Sequence, residues 1–311
     1  MALNFEHQPV LLAEVVALIE ETKPKLILDG TLGGAGHASA MLDASPDAKL
    51  IGIDRDPAAL EAARVRLARF GGRVTLVHAP FSEASQVVRN LGVAQVDATL
   101  VDLGVSSHQF DTAERGFSFR FDAPLDMRMD TTRGMTALEL IDATDEEDLA
   151  NLIFELGEER QSRRIARAVK ADRPETTGAL AELVKRVAPA PRDAIHPATR
   201  TFQALRMAVN DELGELQRHL EQLPELLADG GVGMVITFHS LEDRAVKHFF
   251  REHTAKRRHV SKYKAIASPN TSETAPFMEV ANETAKDAEL ADNPRARSAR
   301  LRAVRRIARS A

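Results

Sequence analysis

The sequence predicts an α/β fold: a doubly wound, mostly parallel sheet interrupted by an inserted helical domain. Three observations point there. Over the first hundred residues short apolar runs alternate with helical ones, the pattern of βαβ units. The runs are apolar throughout, as in strands buried on both faces. Between the fourth and fifth runs lie positions 103–232, far more than the about a dozen residues a plain helical crossover requires.

The strands expected in order are Lys25–Asp29, Leu50–Asp54, Val74–His78, Ala98–Asp102 and, after an Asp229-Gly230-Gly231 turn, Gly233–Phe238. Pro57–Phe70, with Leu60, Ala63, Val65 and Leu67, reads as a helix between the second and third. The insertion begins at the carboxyl end of a strand, where open α/β sheets bind ligands, so it is expected to overhang the active site and select the substrate. Within it, 145–156 and 158–171 read as helices parted by Gly157, and a third covers about 178–188. Pro189, Pro191 and Pro197 break the chain. Pro197 can open a further helix, whose apolar stripe at Phe202, Leu205, Val209, Leu213, Leu216 and Leu220 defines one buried face. Residues 241–253 read as helical, 254–293 as a long loop or hairpin, and Ala299–Ile307 as a last strand. The expected division is a sheet domain of residues 1–105 and 222–311 and an inserted helical domain of 106–221.

At 311 residues, with 44% hydrophobic and 28% charged residues, neither wholesale disorder nor a membrane protein is expected. A net charge of -5 excludes a uniformly basic nucleic-acid coat but not a local basic face. Arginine supplies 31 of the 41 basic residues; it suits bidentate phosphate contacts, although a GC-rich genome gives the same bias. There is no cysteine, which removes disulfides, thiolate metal sites and cysteine nucleophiles. Met1 to Glu21 has no basic leader segment, and Val10–Ile19 is broken by Glu14 and too short to span a bilayer. A soluble, cytoplasmic protein with no membrane partner is expected.

The first strand-to-helix turn, Asp29-Gly30-Thr31-Leu32-Gly33-Gly34-Ala35-Gly36-His37, lets the backbone approach a nucleotide-like ligand. Its spacing is neither the dinucleotide nor the phosphate-loop fingerprint, and a ligand-free tight turn reads the same way. Asp54 ends the second strand and Asp102 the fourth. With Asp29, they would line one edge of the sheet, repelling a pyrophosphate but suiting a cationic ligand with a ribose, such as S-adenosylmethionine. Singly, each Asp is as readily a helix cap, and Arg55 keeps a phosphorylated-ribose ligand open.

Phe110, Phe117, Phe119 and Phe121 interleave with Arg115 and Arg120, which suggests stacking on a nucleic-acid base or a satellite hydrophobic cluster under a loop. Arg160, Arg163, Arg164 and Arg167 have the spacing of one helical face, a stripe for phosphates or a solvated face paired with acids such as Glu159. Arg295, Arg297, Arg300, Arg302, Arg305, Arg306 and Arg309 form a second basic stretch, or a charged edge strand. His239 and Glu242 are spaced to share a metal, and Ser240 beside His239 resembles a nucleophile pair, although adjacent residues rarely reach triad geometry and no third partner is evident; no metal site is expected.

Together these motifs resemble the RsmH (MraW) family, bacterial methyltransferases acting on N4 of a cytosine in the decoding region of 16S ribosomal RNA. The resemblance rests on HQPVLL at 7–12, DGTLGGAGH at 29–37, IGIDRDP at 51–57, DLGVSS at 102–107, RGFSF at 115–119, PLDMRMD at 124–130, GEER at 157–160, HPATRTFQALR at 196–206, FHSLEDR at 238–244 and NPRARSARLR at 293–302. It departs at Ala35, where the family usually has Gly, and at His108, where it usually has Pro; residues 254–290 match poorly. It implies a Rossmann-like class I methyltransferase fold, S-adenosylmethionine as cofactor, and 16S ribosomal RNA within the small ribosomal subunit as partner. The implied cofactor contacts are Gly34, Ala35, Gly36, His37, Asp54, Phe81, Asp102 and Gln109; for RNA, the helical spacing offers Arg160, Arg163, Arg164 and Arg167.

The missing cysteine then selects chemistry. Methylation at carbon 5 of cytosine usually needs a thiolate adduct, whereas an exocyclic amine needs an aligned methyl group and a proton acceptor. Asp102 is the candidate catalytic acceptor. A nicotinamide oxidoreductase and a non-catalytic small-subunit assembly factor retaining the cofactor site are the competing readings.

Overall fold

A computed structural model describes residues 9–189, 195–254, 275–286, 289–290 and 293–308. The chain folds as two compact units, Met1–Gly104 with Glu215–Ala311, and Val105–Gly214. The joints read from sequence were 105/106 and 221/222.

The first unit is built on α1 (Leu12–Thr22), β1 (Leu26–Asp29), α2 (Gly36–Ala44), β2 (Lys49–Asp54), α3 (Pro57–Leu67), β3 (Val74–His78), α4 (Ala84–Asn90) and β4 (Val96–Asp102). Its sheet runs β3-β2-β1-β4-β5-β7-β6, where β5, β6 and β7 are defined below. β1 to β5 pair in parallel, and β7 runs antiparallel between β5 and β6. This is the doubly wound, mostly parallel sheet expected from the sequence. Apolar residues alternate faces along each central strand. Ile27, Leu50, Leu100 and Met234 pack with Ile19, Met41 and Leu60 on one side. Leu28, Ile51, Val101 and Val235 pack with Val88, Leu220 and Phe249 on the other. Helices therefore cover both faces, and only the strand ends stay free for chemistry. The α3 start follows from Asp56, which accepts the Ala58 N–H at 3.0 Å, with Pro57 at the first helical position.

The second unit holds α5 (Ser107–Asp111), α6 (Ala137–Ala143), α7 (Glu146–Gly157), α8 (Ser162–Asp172), α9 (Thr177–Val187) and α10 (Ala198–Val209) around a core that includes Met127, Ile153, Ile165, Val184 and Phe202. A methyl at Gly157 would meet the Arg200 carbonyl at 2.5 Å, so α7 and α10 cross where no side chain fits.

α11 (Glu212–Leu226), β5 (Leu227–Thr237), α12 (Ser240–His253), β6 (Phe277–Thr284) and β7 (Arg300–Arg306) follow. Three expectations are corrected here. The stripe from Phe202 to Leu220 spans two helices, α10 and α11, because Asp211 takes a left-handed backbone at φ 46°; a continuous apolar period conceals such a break. Residues 158–161 lie outside α8, so Arg160 is not on that helix. The stretch 254–293 includes a strand, β6, whose burial does not alternate and whose register shifts between Glu279 and Ala281, so it leaves no apolar periodicity to read; positions 255–274 lie outside the described residues.

Candidate functional site

The strand order reverses between β1 and β4, the place where doubly wound sheets bind ligands. The loop joining β1 to α2 is tied down at this point. The Gly30 N–H donates to the Leu100 carbonyl at 2.8 Å, and the Leu32 N–H to that of Ile53 at 3.1 Å. The Asp102 N–H donates to Thr31 Oγ1 at 2.6 Å. Arg66 donates to the Gly34 carbonyl at 2.9 Å. Ala35 adopts a left-handed backbone at φ 58° and is fully buried, so it holds the conformation a glycine would take at less cost.

Three carboxylates stand along this edge. Asp29 pairs in register with Gly52 and Leu100, so Asp54 and Asp102 each lie two residues further along their strands, roughly 7 Å on. Burial, with Asp54 nearby, pushes the Asp29 carboxyl up to about 7 despite the Thr31 N–H it accepts. Asp54 accepts the Gly33 N–H at 2.7 Å and the Asp56 N–H at 2.8 Å, yet burial still raises it to about 6. Asp102 is raised well above the usual range, by burial and then by Asp29 and Glu242. Its Oδ1 is buried without a hydrogen-bond partner among the described residues. Carboxylates that hold protons this tightly are short of positive charge, and a cation bound among them relieves that shortage.

His37 is buried in the first turn of α2, with Nε2 2.9 Å from the Val10 carbonyl and Nδ1 3.5 Å from Asp102 Oδ2. Phe81 is buried in a short turn after β3, close enough to Gly30 that a methyl there would stand 3.0 Å from its Cβ. The ring of His219 on α11 meets Phe81 edge-on at 5.6 Å, and its Nδ1 donates to the Phe81 carbonyl at 3.2 Å. Burial lowers His219 to about 4, so it is neutral there. His219 had no motif and was missed in the sequence; only its place on the apolar face of α11 could have drawn notice.

The structure thus brings Gly34, Ala35, Gly36, His37, Asp54, Phe81 and Asp102 to one edge of the first unit. Gln109 lies in the second unit, where its side chain closes a capping box with Ser106. Arg55 is 3.7 Å from Glu215, an ion pair that commits the guanidinium raised above as a phosphate ligand. His239 and Glu242 cap α12 reciprocally, the sequence spacing having resembled a metal pair. Glu242 also acts on Asp102 as a neighbouring carboxylate, raising it further.

On α8, Arg163, Arg164 and Arg167 remain exposed on one face, and only Arg167 has an ion pair among the described residues, with Glu146 at 3.4 Å. The expected Glu159–Arg163 pairing is replaced by a Glu159 bond to the Gln161 N–H. Phe117 is buried, and Phe110 and Phe119 pack against the same core; Phe121 is 52% exposed, which leaves one aromatic free to stack. The basic stretch near residue 300 is corrected where it lies on β7. β7 is an interior strand, Arg302 pairs with Asp243 at 2.7 Å, and Arg305 pairs with Glu21 at 2.9 Å. Arg309 lies outside the described residues.

Residues 4–307 match the model of the MraW methylase family. Ribosomal RNA small subunit methyltransferase H of Geobacter sulfurreducens is 50% identical, over 98% of this chain and 100% of its own length. The proteins of the same name from Sorangium cellulosum and Methylobacterium sp. are 48% and 47% identical, over 97% and 96% of this chain and 91% and 90% of their own.

Proposed function

This chain belongs to the MraW methylase family, and we propose that it transfers a methyl group from S-adenosylmethionine to N4 of a cytosine in the decoding region of 16S ribosomal RNA. The observation that carries this reading is the row of Asp29, Asp54 and Asp102 with raised carboxyls at the switch point of the sheet, one oxygen of Asp102 being buried and unpartnered among the described residues. That donor set fits a sulfonium and an ammonium group and repels a pyrophosphate.

Backbone N–H groups of Gly34, Gly36 and His37 would hold the cofactor where loop and α2 meet, with Ala35 shaping the loop through its N–H bond to the Leu32 carbonyl; Asp54 would take its ribose hydroxyls, and Phe81 would pack on its adenine. Gln109 is proposed to meet a polar edge of the same ligand. When bound, the cofactor supplies an electrophilic methyl group. Asp102 orients the cytosine amine by accepting from its N–H, which localises the nitrogen lone pair, and takes the proton as the new bond forms. Arg163, Arg164 and Arg167 are proposed to contact RNA phosphates, with Arg160 beside them.

The substrate is proposed to be the assembled small subunit. A chain of net charge -5 binds naked RNA weakly through charge alone, so shape complementarity carries more of the recognition. The site is proposed to work in the cytoplasm; among the described residues no helix is long and apolar enough to cross a membrane. The assembly-factor reading is disfavoured because every side chain the cofactor needs is present. The test is to incubate the protein and labelled S-adenosylmethionine with small subunits from a strain lacking the enzyme. Label is expected in N4-methylcytidine; label in another nucleoside overturns the target, and no label with binding intact favours the assembly factor.

A further inference from the structure

The turn that carries Phe81 is held from two sides. On one stands Gly30, just past the end of β1: a methyl added there would lie 3.0 Å from Phe81 Cβ and 3.2 Å from Val101 Cγ2, so the segments pack where no side chain fits. On the other runs α11. Gln222 accepts the Ser85 N–H at 3.0 Å through Oε1 and donates through Nε2 to the Ser82 carbonyl. Near it on the same helix, His219 Nδ1 donates to the Phe81 carbonyl at 3.2 Å, and its ring meets the Phe81 ring edge-on at 5.6 Å. That carbonyl has two lone pairs and already takes the Ala84 N–H, so it is satisfied without His219.

His219 is a costly residue for this place. It is fully buried, and its Nε2 finds no hydrogen-bond partner among the described residues. Leu216, Leu220 and Leu223 on the same helix belong to the apolar core that also takes in Phe81. A leucine at 219 would suit that core better. What the imidazole adds is a second donor on the Phe81 carbonyl and a ring edge against the Phe81 ring, and together these fix how Phe81 is presented. Burial keeps the imidazole neutral, so the proton stays on the nitrogen that makes the bond. We propose that His219 is a positioning residue for cofactor binding: acting through Phe81, it sets the ring on which the adenine of S-adenosylmethionine packs. This rests on the methyl-transfer reading above, in which Phe81 meets the adenine. His219 itself touches no ligand, so its contribution passes entirely through Phe81.

Calorimetric titration with S-adenosylmethionine, and with 5′-methylthioadenosine, which keeps the adenine and ribose but lacks the amino acid, tests this. His219→Leu is expected to unfold at or above the wild-type denaturant midpoint, yet to bind both ligands about tenfold more weakly. His219→Asn, whose Nδ2 can take the place of Nδ1, should recover most of that loss. On a Phe81→Ala background, His219→Leu should cost no further affinity, because the ring it positions is gone. His219→Ala, which needs no added space, carries the same comparisons should the leucine variant not fold. Wild-type affinity in these variants, a loss that 5′-methylthioadenosine does not share, an asparagine variant as weak as the leucine one, or a full further loss on the Phe81→Ala background overturns the proposal. Failure of the wild-type chain to bind either adenosyl ligand would instead overturn the cofactor reading, and this proposal with it.

Discussion

Asp54 holds the Gly33 N–H at 2.7 Å, so the carboxylate offered to a ribose also fixes the loop that surrounds the ligand. The same group is raised to about 6, and Asp29 to about 7, chiefly by burial. Both bind protons more tightly in the native than in the unfolded chain. Their contribution to stability is therefore present below the unfolded value of 3.8 and is lost as pH rises through 6 to 7.

Cofactor affinity should follow the opposite course. A cation needs these carboxylates ionised, so affinity for S-adenosylmethionine is expected to fall roughly tenfold or more between about pH 7.5 and about pH 5.5. Affinity for the neutral S-adenosylhomocysteine should fall less. Calorimetric titration of both ligands across that range checks the difference, and equal slopes would count against a cation site.

Gly36→Ala should destabilise the protein, against the ordinary preference of helices for alanine. The added methyl would lie 2.5 Å from Pro9 Cγ, so the segment before α1 must move. The expected cost is about 1–3 kcal/mol, against a propensity gain of about 1 kcal/mol. Denaturant unfolding and cofactor titration of the variant measure it, with affinity falling as the loop shifts.

Asn210→Ala should loosen the helical unit alone. Asn210 Nδ2 donates to the Met127 carbonyl at 2.7 Å, and Oδ1 accepts the Met129 N–H at 2.7 Å, which pins a turn where Met127 itself is held at φ 62°. Removing both bonds in a buried place is expected to cost about 2–4 kcal/mol. Hydrogen exchange should rise over residues 126–130, while cofactor affinity stays within error.

Replacing Arg163 and Arg164 with glutamine should weaken binding to 16S ribosomal RNA and lower the salt dependence by roughly 0.7–0.9 per lost phosphate contact. Arg302→Gln, which breaks the pair joining β7 to Asp243 on α12, should reduce stability instead. An unchanged salt slope in the α8 double variant would place RNA contacts elsewhere.

The central sheet was legible because its strands are short apolar runs with acidic ends, so both the fold and the places of Asp29, Asp54 and Asp102 could be read from the chain. The carboxylates announced themselves as strand-terminal residues. What pairs with a charge could not be read. The β7 arginines looked like a basic face, yet Arg302 and Arg305 are committed to Asp243 and Glu21, partners 59 and 284 positions away. Arg160 kept the spacing of a helix that begins two residues later, since periodicity records spacing without recording where the helix starts. β6 escaped because a register shift between Glu279 and Ala281 breaks its two-residue period, leaving Phe277 as its one buried side chain.

The pairing of β4 with β5 also sets an order of assembly. Asp102 and Ile236 are partners across the sheet, and the whole helical unit is synthesised between them. As the chain emerges from the ribosome, β4 waits with one edge open while that unit, rich in local contacts, condenses first. The sheet then closes through long-range strand pairing, with β7 slotting between β5 and β6 last. Nascent chains stalled before β5 should therefore be the species that chaperones hold.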